Sequence, residues 1–287
     1  MPLITNILFP VDFSPSCVAM APYVKRAAAL FGARVSLIHV FDPASYNGFE
    51  QYLRRAQEIA EEHRDLAGEK FNQFLSDEFP IDEYPRILTS GDASTEISSA
   101  ARNGFDLIIM PTHAGFFRRM LLGSTTAKVL NDAECPVLTS RHAETIAPRP
   151  LEHKEWLCAI GLGADSERVL RYASQAAEEA KAQLTILHAI QADASGSTLT
   201  LDLKGELQSV ERKAAFEKIS EVLQRVGAQA SVRISVGSVK EALLEAARQS
   251  DADVLMIGRS SHPHAHGRLR DLTYAMVRDS PFPVLSI

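Results

Sequence analysis

Residues 108–141 read IIMPTHAGFFRRMLLGSTTAKVLNDAECPVLTSR. A short apolar strand, Leu107 to Met110, leads into a loop holding Pro111, His113 and Gly115. A basic and apolar run follows, Arg118-Arg119-Met120-Leu121-Leu122. Gly123-Ser124-Thr125-Thr126 then opens a helix, and Pro136-Val137-Leu138 closes the stretch as a strand. A strand feeding such a helix start is suited to phosphate. The N–H groups of a first helical turn have no intrahelical acceptor, and the helix dipole favours an anion there. Gly123 lets a ligand approach the backbone, while Ser124 and Thr125 supply hydroxyl donors.

Upstream, Asn6 to Asp12 reads as a buried strand ending in a carboxylate. Ser14 caps a helix that starts at Pro15, its apolar positions run Val18, Ala21, Val24, Ala28, Phe31, and Gly32 ends it. Val35 to Phe41 is a second strand. Residues 50–78 carry Leu53, Ala56, Ile59, His63, Leu66, Phe71 and Phe74 at helical spacing, which predicts a long amphipathic helix. A strand over 86–89, a turn over 91–94 and a helix over 95–102 precede Leu107. Such alternation builds a parallel, doubly wound sheet, and its ligand crevice lies beyond the carboxyl ends of the strands. Asp12, Val40 and the Pro111 loop all fall there.

The pattern then repeats. Residues 156–161 answer 7–12, 184–188 answer 35–39, and His188 pairs with His39. Residues 203–226, with Leu207, Val210, Ala214, Val222 and Val226, form the second long helix. Residues 236–243 answer 90–97, 253–258 answer 106–111, and PheProValLeuSer at 282–286 answers CysProValLeuThr at 135–139. Between the copies a polar stretch with Pro148 and Pro150 breaks both periodicities. The expected division is therefore 1–142, a linker over 143–153, and 154–287.

The GlySerThr helix start, the ProValAsp strand end and the duplicated ProValLeu strand resemble the universal stress protein family, over nearly the whole chain and in two copies. That family's motif runs Gly, two residues, Gly, nine residues, Gly, then Ser or Thr. Here Pro111 and Ala114 stand at the first two glycines, and eight residues rather than nine precede Gly123. The resemblance implies two doubly wound, mostly parallel five-stranded α/β sheets with helices on both faces, of the adenine-nucleotide alpha hydrolase-like kind. It implies a cytoplasmic stress-response protein that binds ATP, with Mg²⁺ accompanying it, in the N-terminal copy only. It also implies an internal pseudo-dimer formed through the two last strands, with a further homodimer and a protein partner open.

Residue by residue, the resemblance assigns Asp12 to adenosine, the backbone of Val40 to adenine, and Pro111, Ala114, Gly123, Ser124 and Thr125 to the phosphate end. Asp12 equally suits plain stabilisation of the helix that follows it. Pro111 has no N–H to donate, and Ala114 adds a methyl group where close approach is needed. Arg118 and Arg119 either grip phosphate oxygens in compensation or lie in solvent. In the second copy Gly161 replaces Asp12, Gly258 keeps the first motif glycine, and Ser261 replaces the second. Arg270-Asp271 aligns with Gly123-Ser124, so Asp271 is expected to cap its own helix and to exclude phosphate.

Composition narrows the rest. The chain has 287 residues and a net charge of −6, which disfavours general nucleic-acid binding. No apolar run long enough for a membrane span occurs, and the N-terminal sequence lacks a secretory signal's basic region. Cys17, Cys135 and Cys158 are too scattered for a metal site and read as small buried residues. His262, His264 and His266 share one side of an extended loop, but with no cysteine or acidic partner nearby they read as solvated. His39 and His188 read as packing. No nucleophile set, acidic pair for Mg²⁺ or general base is evident, so the chain is not expected to be an enzyme, and any ATP hydrolysis would be slow. The alternative is a scaffold of the same fold that acts through protein contacts alone.

Overall fold

The computed structural model describes residues 2–41, 53–112, 122–141, 151, 154–191, 201–259 and 268–287. The chain divides into two compact units, Met1–Pro148 and Arg149–Ile287. In the first unit the elements run β1 (Asn6–Pro10), α1 (Pro15–Phe31), β2 (Arg34–Phe41), α2 (Leu53–Gln73), β3 (Arg86–Ser90), α3 (Ala93–Ala101), β4 (Leu107–Thr112), α4 (Ser124–Asp132) and β5 (Val137–Arg141). Their sheet order is β3-β2-β1-β4-β5, and each neighbouring pair is parallel. Chain order reverses between β1 and β4, which opens a crevice at their carboxyl ends.

The second unit has the same plan: β6 (Glu155–Ala159), α5 (Ser166–Ala180), β7 (Gln183–Ile190), α6 (Leu201–Val226), β8 (Ser231–Val236), α7 (Val239–Gln249), β9 (Val254–Ile257), α8 (Arg268–Asp279) and β10 (Val284–Ser286). Its sheet runs β10-β9-β6-β7-β8, again parallel throughout. The central strands are the driest part of each unit. Ile7, Leu8 and Phe9 of β1 are wholly buried, as are all four residues of β9. Continuous apolar strands of this kind need cover on both faces. No helix among the described residues is long and apolar enough to cross a membrane.

Local signals explain the element ends. Ser14 accepts from the N–H of Cys17 with Pro15 at the first helical position, and Gly32 closes α1 at φ 62°. One acidic residue per unit ties the start of the first strand to the residue before the fourth. Asp106 Oδ2 accepts from Thr5 N (2.8 Å), Thr5 Oγ1 (2.7 Å) and Asn6 N (3.0 Å). Asp253 Oδ2 accepts from Lys154 N at 2.5 Å.

Four expectations need correction. Helix α3 begins at Ala93 rather than 95, because Asp92 caps it by accepting from Thr95 N at 3.0 Å. Pro111 belongs to β4, opposite Ser140, and not to a loop. Leu66 is 61 % exposed, since the buried stripe of α2 passes through Phe71 and reaches Leu75 beyond it. Leu207 and Val210 are likewise exposed, because the buried stripe of α6 is Ala215, Ile219, Val222 and Leu223. Those four positions share a face at helical spacing, and 207 and 210 fall off it.

Candidate functional site

At the crevice of the first unit lies a cavity of about 240 Å³. Its apolar wall comes from strand ends and α3: Pro10 at the end of β1 and Val11 after it, Ile38 and Val40 of β2, Met110 and Pro111 of β4, and Ile97. Its polar groups are Asp12, Cys17 and the start of α4, Ser124-Thr125-Thr126, with Gly123 beside them. Six positions singled out in the sequence therefore meet here: Asp12, Val40, Pro111, Gly123, Ser124 and Thr125. Ala114, Arg118, Arg119, the His262–His266 cluster and Ser261 lie outside the described residues.

Asp12 is exposed and stands where β1 turns into α1. Its Oδ1 accepts from Ser14 N at 3.1 Å and from the Cys17 thiol at 3.2 Å. Cys17 is buried, and that burial, with the Asp12 charge beside it, pushes the thiol up to about 12. From sequence, Cys17 reads only as a small buried residue. Its spacing, five residues after the carboxylate and in the first turn of a capped helix, was the available signal.

Between Asp12 and Ser14 the chain passes through Phe13 at φ 64°, a left-handed conformation uncommon for an aromatic residue. Packing holds it there. The ring lies 4.1 Å from that of His39 and 5.3 Å from that of Phe74, with Lys70 Nζ 4.5 Å above it. His39 reads from sequence as packing alone, but its Nδ1 also lies 2.8 Å from Val11 O, which anchors the strand end beside the site.

The start of α4 has a different character from those of α1 and α3, which carry Ser14 and Asp92 as side-chain caps. Gly123 sits at its cap with no side-chain hydrogen bond, and the first helical bond is Ala127 N to Gly123 O at 2.9 Å. The N–H groups of Ser124, Thr125 and Thr126 precede that bond and have no intrahelical acceptor. Beside them, Pro111 offers no N–H, and Thr112 Oγ1 donates to Ser140 O at 3.3 Å. The arrangement suits a flat apolar ligand part inside and an anionic part at the α4 start.

The second unit keeps the turn after its first strand but not the acid. Gly161 follows β6 where Asp12 follows β1, and Leu162 repeats the positive φ of Phe13 at 53°. Gly258 is explained by packing, because a Cβ there would lie 2.7 Å from Val169 Cγ2 of α5. Helix α8 is already formed at Arg268, so Asp271 lies inside it and is not its cap, contrary to expectation. Arg168 Nη2 donates to Arg259 O at 3.0 Å at the end of β9.

A family model described as the universal stress protein family matches residues 4–141 and again 153–287. A universal stress protein of Thermus aquaticus is 30% identical over 145 residues, which is 47% of this chain and 98% of that protein. Among solved structures, a universal stress protein from Archaeoglobus fulgidus aligns with a TM-score of 0.66 at 20% identity, over 98% of this chain and 95% of its own. A structure described as a putative universal stress protein from Pseudomonas aeruginosa aligns at 0.61 and 18% identity, over 99% and 93%. At these identities the structures speak for the fold.

Proposed function

The chain belongs to the universal stress protein family, as two tandem copies, and on that premise we propose that the first copy binds an adenine nucleotide, ATP or a close relative, and that the protein regulates a stress response from the cytoplasm. One observation carries the reading: a single cavity joins the Asp12 carboxylate to the side-chain-uncapped start of α4. At about 240 Å³ the cavity is below the ~300–1,000 Å³ usual for drug-sized ligands. It takes a base and ribose, and leaves the phosphates outside along α4. The second copy lacks the carboxylate and is proposed to carry no nucleotide.

The proposed role is binding rather than catalysis. The thiol closest to the carboxylate stays protonated at physiological pH, and a protonated thiol is a poor nucleophile. The last strand of each copy, β5 and β10, is the edge of its own unit's sheet. We propose that these two edges pair as an internal pseudo-dimer, since edges of that kind are templates for strand addition.

A scaffold that binds no nucleotide is the second reading, favoured by Pro111, which puts a residue without an N–H into the cavity wall. The nucleotide content of freshly purified protein separates the two. About one adenine nucleotide per chain, lost in Asp12→Ala/Ser124→Ala, supports the first. No nucleotide, and no thermal shift with millimolar ATP and Mg²⁺, sinks it and leaves the scaffold.

A further inference from the structure

Building on nucleotide binding by the first unit, we propose that Cys17 is a positioning residue of that site, whose thiol aims the Asp12 carboxylate at a bound nucleoside. Cys17 is 1 % exposed and lines the cavity. Its own place is fixed: its N–H is held by Ser14 O at 3.1 Å and by Ser14 Oγ at 3.3 Å. The thiol has one proton and two acceptors in reach, Asp12 Oδ1 at 3.2 Å and Pro10 O at 3.9 Å. The nearer acceptor is also the charged one, and charge-assisted bonds are the stronger. Ser14 N–H reaches the same Oδ1 at 3.1 Å. Two donors on one oxygen help to hold the carboxylate of an exposed side chain, so less ordering is left for the ligand to impose.

The second unit supplies an internal control. Its first-strand turn is built alike, with Leu162 at φ 53° for Phe13 at 64°, and with His188 Nδ1 2.9 Å from Ile160 O for the His39 contact. Yet Gly161 stands at the place of Asp12 and Ser166 at that of Cys17. Ser166 is 7 % exposed, and its Oγ finds no hydrogen-bond partner among the described residues. The second unit keeps the buried donor without the acid and still forms the turn. The thiol–carboxylate pair is therefore not required by the fold, and its place in the cavity wall ties it to the ligand.

The test is a double-mutant cycle read by calorimetric titration with ATP and Mg²⁺. Cys17→Ala is expected to weaken binding about 3- to 10-fold, the worth of one hydrogen bond. Cys17→Ser, which keeps a donor, restores affinity to within about two-fold of the unaltered protein on the same scale. In an Asp12→Ala background, Cys17→Ala should have no further effect. A thiol that only fills space gives the same loss in both backgrounds and no rescue by serine, and that result overturns the proposal. A second readout uses unliganded protein: the infrared S–H stretching band of Cys17, identified by its loss in Cys17→Ser. It is expected to move to higher frequency in Asp12→Ala, and an unmoved band also overturns the proposal. Unaltered protein that binds no ATP removes the underlying nucleotide reading, whereas binding with additive effects removes the positioning role alone.

Discussion

His39 holds its Nδ1 2.8 Å from the carbonyl oxygen of Val11, one residue before Asp12. A carbonyl can only accept, so Nδ1 carries the proton. The bond crosses from β2 to the end of β1 and keeps the strand end in line with the cavity. His188 and Ile160 repeat it at 2.9 Å. A tie kept where the carboxylate is absent serves the turn, and the carboxylate exploits a strand end already held.

Burial lowers the His39 pKa below 6.5, so the folded state prefers the neutral ring. The unfolded chain takes up a proton near 6.5, and folding stability therefore falls as pH drops below that value. Urea midpoints at pH 7.5 and pH 5 should show the fall, and it should be shallower in His39→Gln. Equal slopes in the two proteins would remove His39 as the cause.

Asp12→Ala should weaken ATP binding by roughly 10-fold or more, the scale of a hydrogen bond to a charged group. Ser124→Ala, which leaves the helix N–H groups in place, should cost less than about 10-fold. Titration calorimetry on both variants checks the order, and a reversed order would put the dominant contact on α4.

Gly258→Ala should destabilise the second unit by ~1–3 kcal/mol, the usual cost of overpacking. The added Cβ would lie 2.7 Å from Val169 Cγ2. Val169→Ala removes the obstruction, so the double variant should lose less than the sum of the single losses in chemical denaturation. Additive losses would contradict the packing account of this glycine.

Cys17 and Cys158 are both pushed up to about 12 by burial, from 9.0. Above pH 9 the unfolded chain releases these protons while the folded chain keeps them, so stability falls between about pH 9 and 12. Denaturant midpoints at pH 8 and 10.5 should fall apart, and less so in Cys158→Ala. No change on replacing Cys158 would assign the loss to other groups.

The fold was legible because the second copy repeats the first, element for element, and because apolar strands bounded by caps and turns are strong local signals. Exposure along a helix was harder to read. Leu66 and Val210 fit a helical spacing counted loosely, yet the buried stripe passes them by, since packing on a sheet selects a narrower face than apolarity marks. Asp92 was hidden inside GlyAspAlaSer, which reads as a turn until the Thr95 N–H is seen to need an acceptor. That Asp12, Val40 and Pro111 meet in one cavity followed from strand ends, while Ser124 joins them from the start of α4. Cys17 did not follow, because a thiol's role depends on what lies 3.2 Å away.

The Asp106 and Asp253 ties bear on how the protein is made. They join residues 101, 100 and 99 positions apart, so each closes only after most of a unit has been gathered. Closing such long loops early is entropically unfavourable, so these bonds form late on the folding route. Each also lies inside its own unit. On the ribosome, the first unit can secure its Asp106 tie while the Asp253 side chain has yet to be synthesised. Translation order thus separates two sheets of the same strand order in time, at the stage when a strand from one could insert into the other.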